Sequence, residues 1–193
     1  MIDREAAQLE DHPALEPEWV VSTSTTLEAA LFKDTLDIGV LLNPIGDERL
    51  SAQPLGLQPT TWVVPADWDV KDVVEPRDFW SRSVISNPPP SAMHRQITGW
   101  FAAARLEPSR MSICTSVAVI PELVAASIGA GLLPVRMAER HVAAGKMRIV
   151  AANPPVENGR LFICIRAGVE DPRTTAVAKA IRRVVDGPDY LQR

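Results

Sequence analysis

Short continuous apolar runs alternate along this chain with longer stretches in which apolar residues recur at helical spacing, and the switches fall at prolines, glycines and clustered hydroxyls. Residues 4–10 read as the end of a helix that stops near His12 and Pro13, because the residue before a proline disfavours helical backbone. On this reading the chain opens in mid-element. The run Glu18-Trp19-Val20-Val21 predicts a strand, and the hydroxyls of residues 22–26 offer several N-caps for a helix over 27–33 with Leu27, Ala30 and Leu31 on one face. Residues 36–42 read as a buried strand, ended by Asn43 and Pro44. A strand over 61–64 follows, then a polar, proline-punctuated stretch over 65–82 and a strand over 83–86.

The second half has a tighter rhythm. Three prolines lead to Ser91, the natural N-cap of an amphipathic helix whose Met93, Ile97, Trp100, Phe101 and Ala104 keep helical spacing. Strands are predicted over 111–114, at Leu132 and Leu133, and over 146–150, with one helix opening at Ser116 and another over 136–144. Strands and helices in alternation mean a mostly parallel sheet. A strand over 161–166 comes next, and Pro172 precedes a last helix with Val177, Ala180, Ile181, Val184 and Val185 on its apolar side. The order fits an α/β protein of two lobes joined by two extended crossovers, near Trp62 and near Phe162.

Composition narrows the function classes. A chain of 193 residues can bury one core or two small ones. A net charge of -4 and a pI near 5.4 leave no global basic field, which argues against an electrostatic grip on nucleic acid by this chain alone. No apolar run approaches the ~20 residues of a membrane helix, and the charged N-terminus has no hydrophobic segment of the kind a signal or anchor needs. The expectation is a cytoplasmic protein with no membrane partner. Cys114 and Cys164, each in an apolar run, are expected to be buried free thiols.

Catalytic and cofactor patterns do not survive inspection. Gly129 and Gly131 follow a helix instead of opening one, and Pro134 holds the place of the third glycine of a dinucleotide fingerprint. Cys114 and His141 lack the context of a nucleophile and its base. His12, His94 and His141 show no metal-ligand spacing and read as surface or helix-edge residues. No cofactor, no metal and no enzyme activity are expected. What recurs is a hydroxyl at a helix start after a strand: Ser24, Ser91 and Ser116. Each alone is explained as an N-cap. Three of them over two lobes would aim several N–H groups and hydroxyls at one small anion, and a carboxylate is the natural guest.

With these residues in view the chain resembles the effector-binding domain of LysR-type transcriptional regulators. The resemblance rests on Leu36-Asp37-Ile38-Gly39-Val40, on Pro90-Ser91-Ala92-Met93-His94-Arg95, on Thr115-Ser116, and on Ile128-Gly129-Ala130-Gly131-Leu132-Leu133-Pro134, in that order and spacing. It implies two Rossmann-like lobes of the type 2 periplasmic-binding-protein kind, with lobe one formed by residues 1–61 and 162–193 and lobe two by 62–161. It also implies a homodimer or homotetramer, and a small-molecule effector between the lobes. DNA would be contacted through a winged helix-turn-helix that, like the first strand of the domain, is not found in these residues. Carried over position by position, the effector contacts implied are Ser24, Thr25, Asn43 and Pro44 from lobe one, and Ser91, Ala92, Ser116 and Gly129 from lobe two. Two departures stand out: Ser127 replaces a common glycine, and Pro121 should shorten or kink the helix expected after Ser116. The alternatives sharing this fold are a transport solute-binding protein and an enzyme such as an amino-acid-pathway dehydratase.

Overall fold

The two stretches of alternating apolar runs bury two separate cores. In the computed structural model, which describes residues 15–185 and 191, one unit is Met1–Gln58 with Gly159–Arg193 and the other is Pro59–Asn158. The elements in chain order are α1 (Ser24–Phe32), β1 (Ile38–Leu42), β2 (Leu50–Gln58), β3 (Thr60–Pro65), β4 (Val73–Val74), a 3-10 turn (Pro76–Phe79), β5 (Ser83–Ser86), α2 (Ala92–Ala103), β6 (Arg110–Ile113), α3 (Ile120–Ala125), β7 (Ala130–Pro134), α4 (Val135–Ala143), β8 (Met147–Ala152), β9 (Gly159–Arg166) and α5 (Pro172–Val185). The mixed α/β fold has parallel pairings of the kind the helical connections require. No helix among the described residues is long and apolar enough to cross a membrane.

The first unit holds a three-stranded antiparallel sheet in the order β1-β9-β2. Leu31 of α1 packs with Leu41, Leu50 and Cys164, flanked by Leu27, Phe32, Leu36 and Phe162. Asn43 extends the β1–β9 ladder by one step: its N–H donates to Arg160 O at 2.8 Å and its side-chain oxygen accepts from Arg160 N at 3.0 Å. β2 is a strand the pattern did not announce. Pro54 and Gly56 interrupt it and sit at a bulge, which an edge strand tolerates because its outer side needs no ladder bonds. The strand expected at Glu18-Trp19-Val20-Val21 is not formed. Trp19, Val20 and Val21 are exposed and no strand among the described residues pairs with them, and β propensity without a hydrogen-bonded neighbour makes no ladder. The helix expected over 4–10 lies outside the described residues.

The second unit carries a six-stranded sheet in the order β4-β8-β3-β7-β5-β6. β5 runs parallel to both β6 and β7, and β4 parallel to β8, while β3 inserts antiparallel between β7 and β8. Its core centres on aromatics. The Trp62 ring lies 5.0 Å from Phe79 and 5.0 Å from Trp100, and Trp100 meets Phe101 edge-on at 5.4 Å. The apolar spacing of α2 explains this packing, since Met93, Ile97, Trp100 and Phe101 are the residues it buries.

Candidate functional site

Within the second unit, the polar residues gather where parallel β5 and β6 end together, Ser86 opposite Ile113. In open α/β sheets that end is where ligands bind. Ser86 Oγ donates to Asn87 O at 2.8 Å, Cys114 N donates to Ser86 O at 2.9 Å, and Asn87 Nδ2 donates to Cys114 O at 2.7 Å. Ser86, Asn87 and Ser91 are all buried. Neither Ser86 nor Asn87 was singled out from sequence. The signal was there, a polar pair directly after an apolar strand and before a proline run, where a buried polar group must find partners.

Ser91 is the N-cap of α2, with extended backbone and Oγ accepting the His94 N–H at 3.2 Å. Ala92 is the first helical residue, half-buried, and the first-turn N–H groups of a helix point outward without an internal carbonyl. Twelve residues make α2 long enough to present a dipole at that end. Ser116 is different from expectation. The helix after it opens only at Ile120, with Val119 as N-cap and Pro121 within its first turn, the one place a helix accepts proline. Ser116 lies exposed in the preceding turn, its carbonyl taking the Val119 N–H at 3.1 Å and the Cys114 thiol at 3.3 Å. Gly129 is set apart from these residues. It precedes β7 beside Ser83, at the opposite end of β5 from Ser86, and it is there for packing: a Cβ on Gly129 would lie 2.7 Å from Ser83 O.

In the first unit, α1 is capped by Thr23, whose side chain accepts from Thr26 N at 3.3 Å, so the helix begins three residues earlier than its apolar face suggests. Ser24 is therefore inside the helix, and its Oγ accepts the Leu42 N–H at 2.8 Å. That bond draws Ser24 and Thr25 to the end of β1, where Asn43 and Pro44 follow. Asn43 spends its carbonyl oxygen on β9, at a positive φ of 47° that asparagine tolerates. The buried Glu28 holds the loop by accepting Ile45 N at 3.0 Å. Burial, reinforced by the Glu28 carboxylate, pushes the Cys164 thiol up to about 11. Cys114 is only half-buried, and both thiols are free. His141 proves buried between α3 and α4, its Nε2 accepting from Arg140 Nε at 3.0 Å; His12 lies outside the described residues. No group of three or more His, Cys, Asp or Glu among the described residues could hold a metal ion.

Each unit thus presents a hydroxyl at a helix start beside a strand end: Ser24 with β1, Ser91 with β5. Among the described residues, no lysine or arginine side chain is hydrogen-bonded to Ser24 or Ser91, although the Arg95 guanidinium beside Ser91 donates to Pro90 O.

Comparison with known proteins bears on this arrangement. No curated protein matches the chain in sequence. Among solved structures, the regulatory domain of MetR from N. meningitidis, a LysR family regulator, is 18% identical with a TM-score of 0.78, covering 99% of this chain and 92% of that one. The CcmR regulatory domain of Synechocystis PCC6803 in complex with 2-PG is 15% identical with a TM-score of 0.81, covering 97% and 92%. The effector-binding domain of BenM with its effector benzoate is 19% identical with a TM-score of 0.72, covering 100% and 91%. At these identities the likeness establishes the fold, that of type 2 periplasmic-binding proteins. The sequence model of the LysR substrate binding domain matches residues 4–186, and the chain belongs to that family of regulatory, non-catalytic ligand-binding domains.

Proposed function

We propose that this domain senses a small carboxylated metabolite, in the cytoplasm. Binding would alter subunit packing in a homodimer or homotetramer, and through it DNA binding by a winged helix-turn-helix. The observation that carries the reading is the state of the two helix-start hydroxyls. Ser24 Oγ already accepts the Leu42 N–H and Ser91 Oγ already accepts the His94 N–H. A hydroxyl has one proton to give. With an acceptor site occupied by backbone, each serine best serves a ligand as a donor, and two such donors favour a ligand oxygen that is a strong acceptor, as in a carboxylate. Ala92, with the helix end behind it, adds to the same preference, as do Thr25, Asn43 and Pro44 by shaping the wall near Ser24. Ser116 stays as a weaker contributor, since it does not sit at a helix start, and Gly129, beside Ser83 at the opposite end of β5, is left out of the proposed contacts. Benzoate, the effector of BenM, has the chemistry this reading asks for.

Such a ligand shifts an equilibrium only through its differential affinity for two states. A thermal-shift screen of small carboxylic acids, each paired with its primary amide, tests the proposal. Stabilisation by at least one acid and not by its amide supports it. Equal responses within every pair contradict it.

A further inference from the structure

In the first unit, Ser24 and Glu28 lie one turn apart on the same side of α1, toward the chain that leaves β1. Ser24 Oγ takes the Leu42 N–H, and Glu28 Oε1 takes the Ile45 N–H at 3.0 Å. Anchoring that loop requires one oxygen, which the neutral side chain of a glutamine would supply equally well. The charge of Glu28 needs a reason of its own. The residue is only 4% exposed, and a carboxylate so buried is costly unless a cation or several donors meet it. Among the described residues, no lysine or arginine forms an ion pair with Glu28, and no donor reaches Oε2. Unlike Trp62 Nε1, this atom is not sealed from solvent.

Glu28 lines a recess of about 290 Å³ in the first unit. Pro44, Leu50 and Ala52 give the recess apolar walls, and Asp47 and Glu48 complete its acidic side. Asp47 is already spent on Arg49, whose Nε and Nη2 donate to its two oxygens at 2.9 and 2.7 Å. The Arg49 guanidinium is itself stacked on Phe32, 4.1 Å from the ring centroid, and does not line the recess. Glu48 is exposed and leaves a second negative charge beside that of Glu28. No lysine or arginine is among the lining residues. The donor set does not suit a metal ion, which asks for several oxygen ligands at once. An ammonium group asks for less, since one carboxylate oxygen meets both its charge and an N–H.

We infer that this recess is a binding site for a primary ammonium group on a short apolar stem. The N–H groups donate to Glu28 Oε2, and the stem lies against Pro44, Leu50 and Ala52. Through Pro44 the recess adjoins the wall proposed for the effector, but the inference stands on Glu28 and does not depend on the carboxylate reading. The test is NMR titration of the isotope-labelled protein with n-butylammonium, tetramethylammonium and 1-butanol, read at the Ile45 amide. The expected result is a saturable shift with n-butylammonium. Binding should be about tenfold weaker for tetramethylammonium, which has no N–H to give, and for 1-butanol, which has no charge. Glu28→Gln, which keeps an oxygen for the Ile45 N–H, should weaken n-butylammonium by a similar factor. Glu139→Gln removes an exposed carboxylate from α4 in the other unit and should bind as the unaltered protein does. The inference is overturned if no saturable shift appears, if either comparison ligand binds as tightly as n-butylammonium, or if Glu28→Gln binds undiminished. Should Glu28→Gln fail to fold, the three ligands on the unaltered protein still decide.

Discussion

Ser24 Oγ accepts the backbone N–H of Leu42 at 2.8 Å. In an antiparallel ladder, residues alternate between facing the partner strand and facing away. Asn43 N donates to Arg160 O on β9, so Leu42 turns its N–H to the outer side of β1, where Ser24 meets it. The serine is thus both a helix residue and the closing piece of a sheet edge. Ser24→Ala leaves a part-buried N–H without a partner and should cost ~1–2 kcal/mol, whereas Ser24→Thr, which keeps the oxygen, should cost less. Urea denaturation reads this as a lower midpoint at unchanged slope.

Gly129 separates packing from ligand contact. A Cβ there would sit 2.7 Å from the backbone oxygen of Ser83 and 3.0 Å from Ile85 Cγ1. Backbone cannot step aside as a side-chain tip can, so Gly129→Ala should destabilise the second unit by ~1–3 kcal/mol. Gly99, where nothing lies within 4 Å of an added Cβ, is the control: Gly99→Ala should be neutral or stabilising, since alanine is the better helix former.

Trp62 and Trp100 are neighbours with opposite accounts of their N–H groups. Trp100 Nε1 donates to Pro154 O at 2.7 Å, while the fully buried Trp62 Nε1 has no partner. Phenylalanine removes a similar volume at either position. Trp100→Phe loses a hydrogen bond and Trp62→Phe relieves an unmet donor, so the first should be more destabilising by ~1 kcal/mol in the same denaturation assay.

Cys164 gives the first unit a dependence on alkaline pH. Burial raises its thiol from an ordinary 9.0 to about 11, with the Glu28 carboxylate adding to the effect. The folded state holds this proton more tightly than the unfolded chain does. Its stabilising contribution is complete below about pH 9 and is lost as pH rises through about 11. Between about pH 8 and pH 10 the urea midpoint of the unaltered protein should fall more steeply than that of Cys164→Ala. A thiol reagent at neutral pH should label Cys164 only on unfolding.

The parts that were legible in the sequence are those where one residue type has one reason to be in place. Ser91 stands directly before a helix with a clean apolar face, and it is the cap. Where two signals compete, the tertiary context decides. Ser116 looked like a helix start because it follows a strand, but the chain makes a turn first and places Pro121 in the opening turn of α3. β2 was hidden because Pro54 and Gly56 break an alternation that an edge strand does not need. Glu18 to Val21 has the composition of a strand and lacks a pairing partner among the described residues, which no local pattern records. Ser86 and Asn87 were missed for a related reason: burial of a polar pair depends on Cys114, far along the chain.

The central claim, that the hydroxyls of Ser24 and Ser91 serve a carboxylated effector as donors, is tested most directly by calorimetric titration. The acid that stabilises the domain most in the thermal screen would be titrated into the unaltered protein, Ser24→Ala and Ser91→Ala, each at a temperature where urea denaturation shows it folded. Each variant is predicted to bind about tenfold more weakly, the worth of one hydrogen bond to a charged oxygen. Undiminished affinity in both variants would contradict the account.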